Sequence, residues 1–283
     1  SIFLISFSSF SQQIVDGKFG KGINMITSDS SFSMNFAARF QSLYVADGII
    51  NEDNQITNGA SQFLIRRSRL KFGGHAYSQR VKYKIELGLS NRDISGAIPE
   101  TKNADRIIFD AVLKYNFYKG FSIWGGQTKL PGNRERVISS GNLQFVDRSL
   151  LNSKYNIDRD MGIQLRHKHK IGKMLLREAF SVSQGEGRNV TVSNIGGLDY
   201  TSRIEFLPFG KFSGKGDYVG SDIKREPSLK LSIGATYDFH DRAARQRGQL
   251  GGFIEDENNE YITSSLETVF IDFMFKYKGI SVM

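Results

Sequence analysis

Residues 31–46 read SFSMNFAARFQSLYVA. Phe32, Met34, Phe36, Ala38, Phe40 and Tyr44 alternate with Ser33, Asn35, Ala37, Arg39 and Gln41. A period of two sends the first set to one face of a β-strand and the second to the other. Antiparallel strands of soluble proteins alternate in the same way, so length has to separate the two classes. This run outlasts by a wide margin the ~5–6 residues of an average globular strand, which favours a strand that crosses a membrane.

The pattern recurs along the chain. Residues 63–73 (FLIRRSRLKFG) set Leu64, Leu70 and Phe72 on one face and Arg67, Arg69 and Lys71 on the other. Residues 80–90 (RVKYKIELGLS) alternate without a fault, Val81, Tyr83, Ile85, Leu87 and Leu89 opposing Arg80, Lys82, Lys84 and Glu86. Further strands are expected at 106–117, 121–130, 160–170, 174–183, 196–209, 227–238 and 263–277, making ten in all. The fold class is therefore all-β, an antiparallel transmembrane β-barrel. The alternative is a soluble or surface-exposed β-sandwich that binds anionic ligands. A sandwich turns a polar face of mixed sign to water, whereas here two neighbouring strands present Arg67, Arg69, Lys71 and Arg80, Lys82, Lys84 in register, with Glu86 the one acid among them. Like charges on paired strands repel. A water-filled interior that attracts anions explains the clustering better.

Composition agrees. Lys and Arg number 38 against 29 Asp and Glu, a net charge of +9, which favours anionic partners and says nothing of fold. Pro contributes only 4 residues and aromatics 12%, so the chain lacks the composition of a disordered one. Cysteine is absent, which excludes disulfides, thiolate metal sites and thiol chemistry. No apolar run reaches the ~18–20 residues that a spanning helix needs. Residues 1–11 (SIFLISFSSFS) end in small residues at spacing two and read as the remnant of a secretory signal peptide. Residues 12–30 read as a periplasmic lead-in, and 31–283 as the barrel domain.

The connections also alternate. Short turns join the second strand to the third, the fourth to the fifth and the sixth to the seventh, while the links between these hairpins are long, as in outer-membrane barrels. The connection at 210–226 (GKFSGKGDYVGSDIKRE) breaks the rule, being either an extended turn or a hidden strand. Residues 131–159 (PGNRERVISSGNLQFVDRSLLNSKYNIDR) form the longest connection. Unstructured connections above ~12–15 residues are uncommon and tend to be functional.

Enzymatic and nucleic-acid readings find little support. Among the histidines, His167 and His169 share a strand face, but two ligands without a third fall short of a zinc site. Residues 210–216 (GKFSGKG) lack the spacing of a phosphate-binding loop. No local motif joins a nucleophile to a base, so no catalytic residue, metal or cofactor is expected. Nucleic-acid binding would place aromatics among the basic residues as stacking platforms. On the clearest strands Phe and Tyr instead lie opposite Arg and Lys.

At several stretches the chain resembles the phosphate-selective porin O and P family of Gram-negative outer membranes. These are 63–73 with its RRSRLKF core, 125–131 (GGQTKLP), 146–151 (VDRSLL), 159–162 (RDMG) and, more weakly, 203–210 (RIEFLPFG) and 19–40. The resemblance implies a 16-stranded barrel in the bacterial outer membrane, a homotrimer among outer-membrane lipid, that passes small inorganic anions such as phosphate. It also implies that the third long loop folds inward as a constriction, which fits 131–159 after the fifth strand. With ten strands and an end at GISVM rather than a terminal aromatic, the chain is expected to be a fragment. Arg pairs bidentately with phosphate oxygens and stays charged, and several modest sites conduct better than one tight one. The candidate pore-lining residues are thus Arg39, Arg67, Arg69, Lys71, Arg80, Lys82 and Lys84, with Lys129, Arg134, Arg136 and Arg148 near the constriction. Arg159 and Asp160 are expected to form a structural pair.

Overall fold

A computed structural model describes residues 13–15, 20, 22–94 and 96–283; the expected signal remnant at 1–11 lies outside them. It falls into two units, Ser1–Phe109 and Asp110–Met283.

In the first unit the alternating runs become a meander of antiparallel strands. Two short strands, β1 (Gln13–Val15) and β2 (Ile23–Ile26), lie within the expected lead-in. They lead into β3 (Phe32–Ile50), β4 (Ile56–Ala76) and β5 (Ser78–Gly88), each paired with the next. The long link expected between the first two of the ten strands is largely strand, because the β3–β4 ladder runs on to the pair Ile50–Ile56. The tight turn at its tip is closed by Asn51, whose side chain accepts from the Gln55 backbone N–H at 2.8 Å.

Two register details correct the sequence reading. Gln41 pairs with Arg67 but Ser42 pairs with Ile65, so Arg66 is an extra residue in β4. Such a bulge reverses which face the preceding residues occupy. Phe63 and Ile65 therefore stand on the exposed apolar face, where Phe63 meets the Tyr44 ring at 4.7 Å. Leu64 lies on the same face as the arginines, not opposite them. The basic residues of β4 and β5 share a face but are offset: Lys71 faces Glu86, Arg69 faces Gly88, and Lys84 and Lys82 face Gly73 and His75. The hairpin turn at Tyr77 fixes that offset and so relieves direct repulsion.

The second unit continues with β6 (Ile108–Tyr118), β7 (Phe121–Lys129), β8 (Arg159–Ile171), β9 (Met174–Ser183), β10 (Asp199–Leu207) and β11 (Lys230–Ala243). The short hairpin β12 (Arg245–Arg247) and β13 (Leu250–Phe253) precedes β14 (Ser264–Tyr277) and β15 (Ile280–Val282). Strands β6 to β11, then β14 and β15, pair antiparallel in that order. The turns expected to be short are short, closed by Gly120 at φ 80° and Gly172 at φ 59°. The 131–159 connection carries two single-turn helices, α1 (Arg134–Val137) and α2 (Leu150–Lys154). The 210–226 connection holds no strand; it is an extended turn with a 3-10 segment at Ser213–Tyr218.

Burial in the second unit is inverted relative to a water-soluble protein. Along β10, Asp199, Thr201, Arg203, Glu205 and Leu207 are buried while Tyr200 and Ile204 are exposed. On β11 and β14, Ser232, Thr236, Asp238 and Lys276 are buried, and Ile233, Tyr237, Val269, Ile271 and Phe273 are exposed. Leaving such side chains in water forfeits roughly 1.5–3 kcal/mol each. Together that is on the order of 10 kcal/mol, comparable to the whole stability of a domain. The exposed face therefore requires an apolar medium.

Candidate functional site

On the β3–β5 face, the side chains of Arg39, Arg67, Arg69, Lys71, Arg80, Lys82 and Lys84 share one side of the sheet with two acids, Glu86 and Asp93. Arg69 is the structural centre of this group. It donates two hydrogen bonds to Asp93, at 2.9 and 2.6 Å, meets Glu86 at 3.3 Å, and stacks on the Phe109 ring at 4.4 Å. Burial alone would raise the Asp93 carboxyl, but the Arg69 guanidinium holds it below its ordinary value. Lys71 and Lys84 also converge on Glu86, at 3.4 and 3.0 Å. Arg67 donates to Gln41 at 2.6 Å. Arg39 stands directly across from Arg69, while Arg80 and Lys82 are exposed. The named cations outnumber the acids and leave a positive excess, and Arg39 facing Arg69 adds a like-charge repulsion that costs stability.

In the second unit the long 131–159 connection lies against the polar face of β10, β11 and β14. Arg134, fully buried, is its anchor: Nε and the backbone N–H donate to Asp272 at 2.9 and 3.1 Å, and the side chain reaches the Ser232 hydroxyl at 2.9 Å and the Asp217 carbonyl at 3.2 Å. Asp272 also takes a bidentate pair from Arg203, 2.8 Å on each oxygen. Glu205 accepts from Arg203, Arg177 and the Tyr218 hydroxyl, and Arg177 pairs with Asp217. Burial, with Glu205 beside it, pushes the Tyr218 phenol above its ordinary pKa. Arg134, Arg177 and Arg203 are thus balanced by Glu205, Asp217 and Asp272. Arg134 serves to hold the loop, within a network that carries no net charge.

The extended turn at 210–226 meets the loop on this face. The Gly220 N–H donates to the Asn142 carbonyl at 2.6 Å. Beneath them Ile138 of the loop and Phe212 of the turn pack with Leu175, Leu207 and Met274, flanked by Leu143 and Tyr218. Lys276 donates to the Val219 and Ser221 carbonyls, both at 2.8 Å. These bonds account for the missing strand: the backbone groups of this segment find partners among side chains and the loop.

The remaining predicted loop residues gather around α1. Lys129 donates to the carbonyls of Arg136, Val137 and Ile138 at 2.6, 3.0 and 3.2 Å. Arg148 reaches the Glu135 and Ile138 carbonyls at 2.9 and 2.8 Å. Burial, with Arg136 nearby, lowers the Arg148 guanidinium to about 10, so it is charged at neutral pH. Among the described residues neither Lys129 nor Arg148 forms an ion pair. Arg136 does, with Asp158. Burial would raise that carboxyl, but Arg136 and Arg159 hold it well below the ordinary range. Glu135 fastens the two ends of the loop by accepting from Ser149 at 2.6 and 2.7 Å. Arg159 and Asp160 do not pair with each other. Arg159 binds Asp110 and its neighbour Asp158, while Asp160 accepts from the Gly185 and Gly187 backbone N–H groups.

Sequence reasoning missed the wall residues Arg177 and Arg203, and a stack in which Lys114 and Arg166 lie 3.6 and 4.2 Å from the Trp124 ring. Lys114 and Trp124 are direct cross-strand partners. Alternation could have flagged Lys114, Arg166, Arg177 and Arg203 as facing the polar side; their partners depended on register.

The family model for phosphate-selective porin O and P matches residues 35–206, more than half of the chain. No curated protein matches it.

Proposed function

We propose, from the premise that this chain belongs to the phosphate-selective porin O and P family, that its basic face and anchored loop make a passive, anion-preferring diffusion path. Membership of the family makes it an antiparallel transmembrane β-barrel of the bacterial outer membrane; that the family is a class of channels supports reading this chain as a channel rather than as an enzyme. The observation that carries the reading is the inversion of burial: polar residues and the loop lie on one side of the strands, and an exposed apolar band lies on the other. A β-sandwich would bury that apolar face against a second sheet, so the soluble alternative loses its support.

In this reading Arg39, Arg67, Lys71, Arg80, Lys82 and Lys84 set the positive potential of the lumen. Lys129 and Arg148 do so at the constriction, since their counter-partners are carbonyl dipoles rather than full negative charges. Arg69 and Arg134 position the others. Lys114 and Arg166 extend the basic path. Exchange of hydration water for several such donors in turn allows an anion to enter and still leave. Homotrimeric assembly is carried over from the family, and crosslinking in the membrane tests it.

Phosphate recognition is tested by adding inorganic phosphate to chloride-conducting channels in a planar bilayer. A saturable fall in chloride current, weakened in Arg148→Gln, supports the reading. Current that is insensitive to phosphate would contradict it.

A further inference from the structure

The outer, apolar side of β8 and β9 carries a polar cluster that the anion path does not use. His167 and His169 share the face of Ile163 and Leu165, and the strand register sets Glu178 of β9 directly across from His167. Sequence alone offered two ligands; the fold supplies the third. One ligand atom from each of the three lies within 4.8 Å of the others. His167 Nδ1 and Glu178 Oε2 are 2.8 Å apart. The Phe121 ring stacks on His167 at 3.8 Å, and His167 stacks on His169 at 4.9 Å. His169 Nδ1 is buried with no hydrogen-bond partner.

We propose that His167, His169 and Glu178 bind a divalent transition-metal ion, zinc in the first instance, leaving its fourth position to water. Two imidazoles and a carboxylate are a zinc donor set, and imidazole selects zinc, copper and nickel over magnesium and calcium. Tetrahedral zinc holds its ligand atoms about 3.3 Å apart, so the cluster needs only small side-chain rotations to close around an ion. The stacked aromatic ring fixes the orientation of His167 beforehand. A hydrogen bond between His167 and Glu178 accounts for two members of the cluster but gives His169 no partner; a metal ion gives all three one. It also brings a full positive charge to the Glu178 carboxylate, whose partner His167 is an imidazole, on a face shared with Leu165 and Phe180 where charge is costly. The cluster lies toward the tight β8–β9 turn, the periplasmic end in barrels of this kind, so an ion from the periplasm has a short route to it.

The test uses the full-length porin, extracted in detergent and stripped with EDTA. Calorimetric titration with Zn²⁺ should find one site per chain, and Co²⁺ should give the intense visible absorption of a tetrahedral ion. His169→Ala and the nearly isosteric Glu178→Gln should each weaken Zn²⁺ binding on the order of 100-fold, while Ca²⁺ titrations show nothing. Channel conductance should be unchanged in both variants, which certifies their folding and separates this site from the anion path. Zn²⁺ binding that is absent from the wild type, or that persists undiminished in both conducting variants, would overturn the proposal.

Discussion

Arg69 and Lys84 both approach Glu86, yet their surroundings assign them different work. The Arg69 side chain is 9% exposed and holds two buried acids, whereas that of Lys84 is 37% exposed. Removing one partner of a buried ion network leaves the others uncompensated and costs ~3–5 kcal/mol. Arg69→Gln should therefore lower the midpoint of denaturant unfolding in detergent. Lys82→Gln and Lys84→Gln should leave unfolding within about 0.5 kcal/mol of wild type while reducing anion preference in single-channel recordings. A stable Arg69→Gln protein would show that the buried cluster contributes nothing to the fold. Asp158 supplies a pH test on the same scale. Its carboxyl is held below the ordinary value of ~3.9, so the stability it adds to the loop is complete above that value and is lost only as pH falls below it. Open-channel conductance should be steady from about pH 7 to 5 as far as this pair is concerned, and should become noisier on further acidification. Asp158→Asn should bring that noise to neutral pH.

At the scale of elements, the 131–159 loop is fixed at its root by Arg134, across its width by Glu135 and Ser149, and at its far side by the 210–226 turn. Arg134→Ala leaves Asp272 and Glu205 short of a cation, and should raise conductance and blunt selectivity by loosening the loop. Excising residues 139–148 should do so more strongly while the protein still inserts; loss of insertion would mean that the loop is needed for folding. The long strands were legible because alternation is a property of neighbouring residues and survives without knowledge of partners. Arg66 was not, since one extra residue in a strand shows only when the opposing strand is known. Neither was the 210–226 turn, whose backbone is satisfied by Lys276, Asp222 and the loop rather than by a ladder. For the site, charge and alternation sufficed to put the basic residues of β4 and β5 on one face. They could not tell the anchors Arg69 and Arg134 from the more exposed Lys82 and Lys84, nor bring Glu178 to the two histidines, because burial and register belong to the folded chain.

For the molecule as a whole, membership of an outer-membrane porin family accounts for the exposed apolar face of the second unit, and the proposed anion path gives the basic face of the first unit its purpose. The most direct test is the reversal potential of the full-length protein in a planar bilayer under a tenfold KCl gradient. An anion-preferring lumen gives a potential of the sign set by chloride. A potential of the opposite sign, or none, would contradict it.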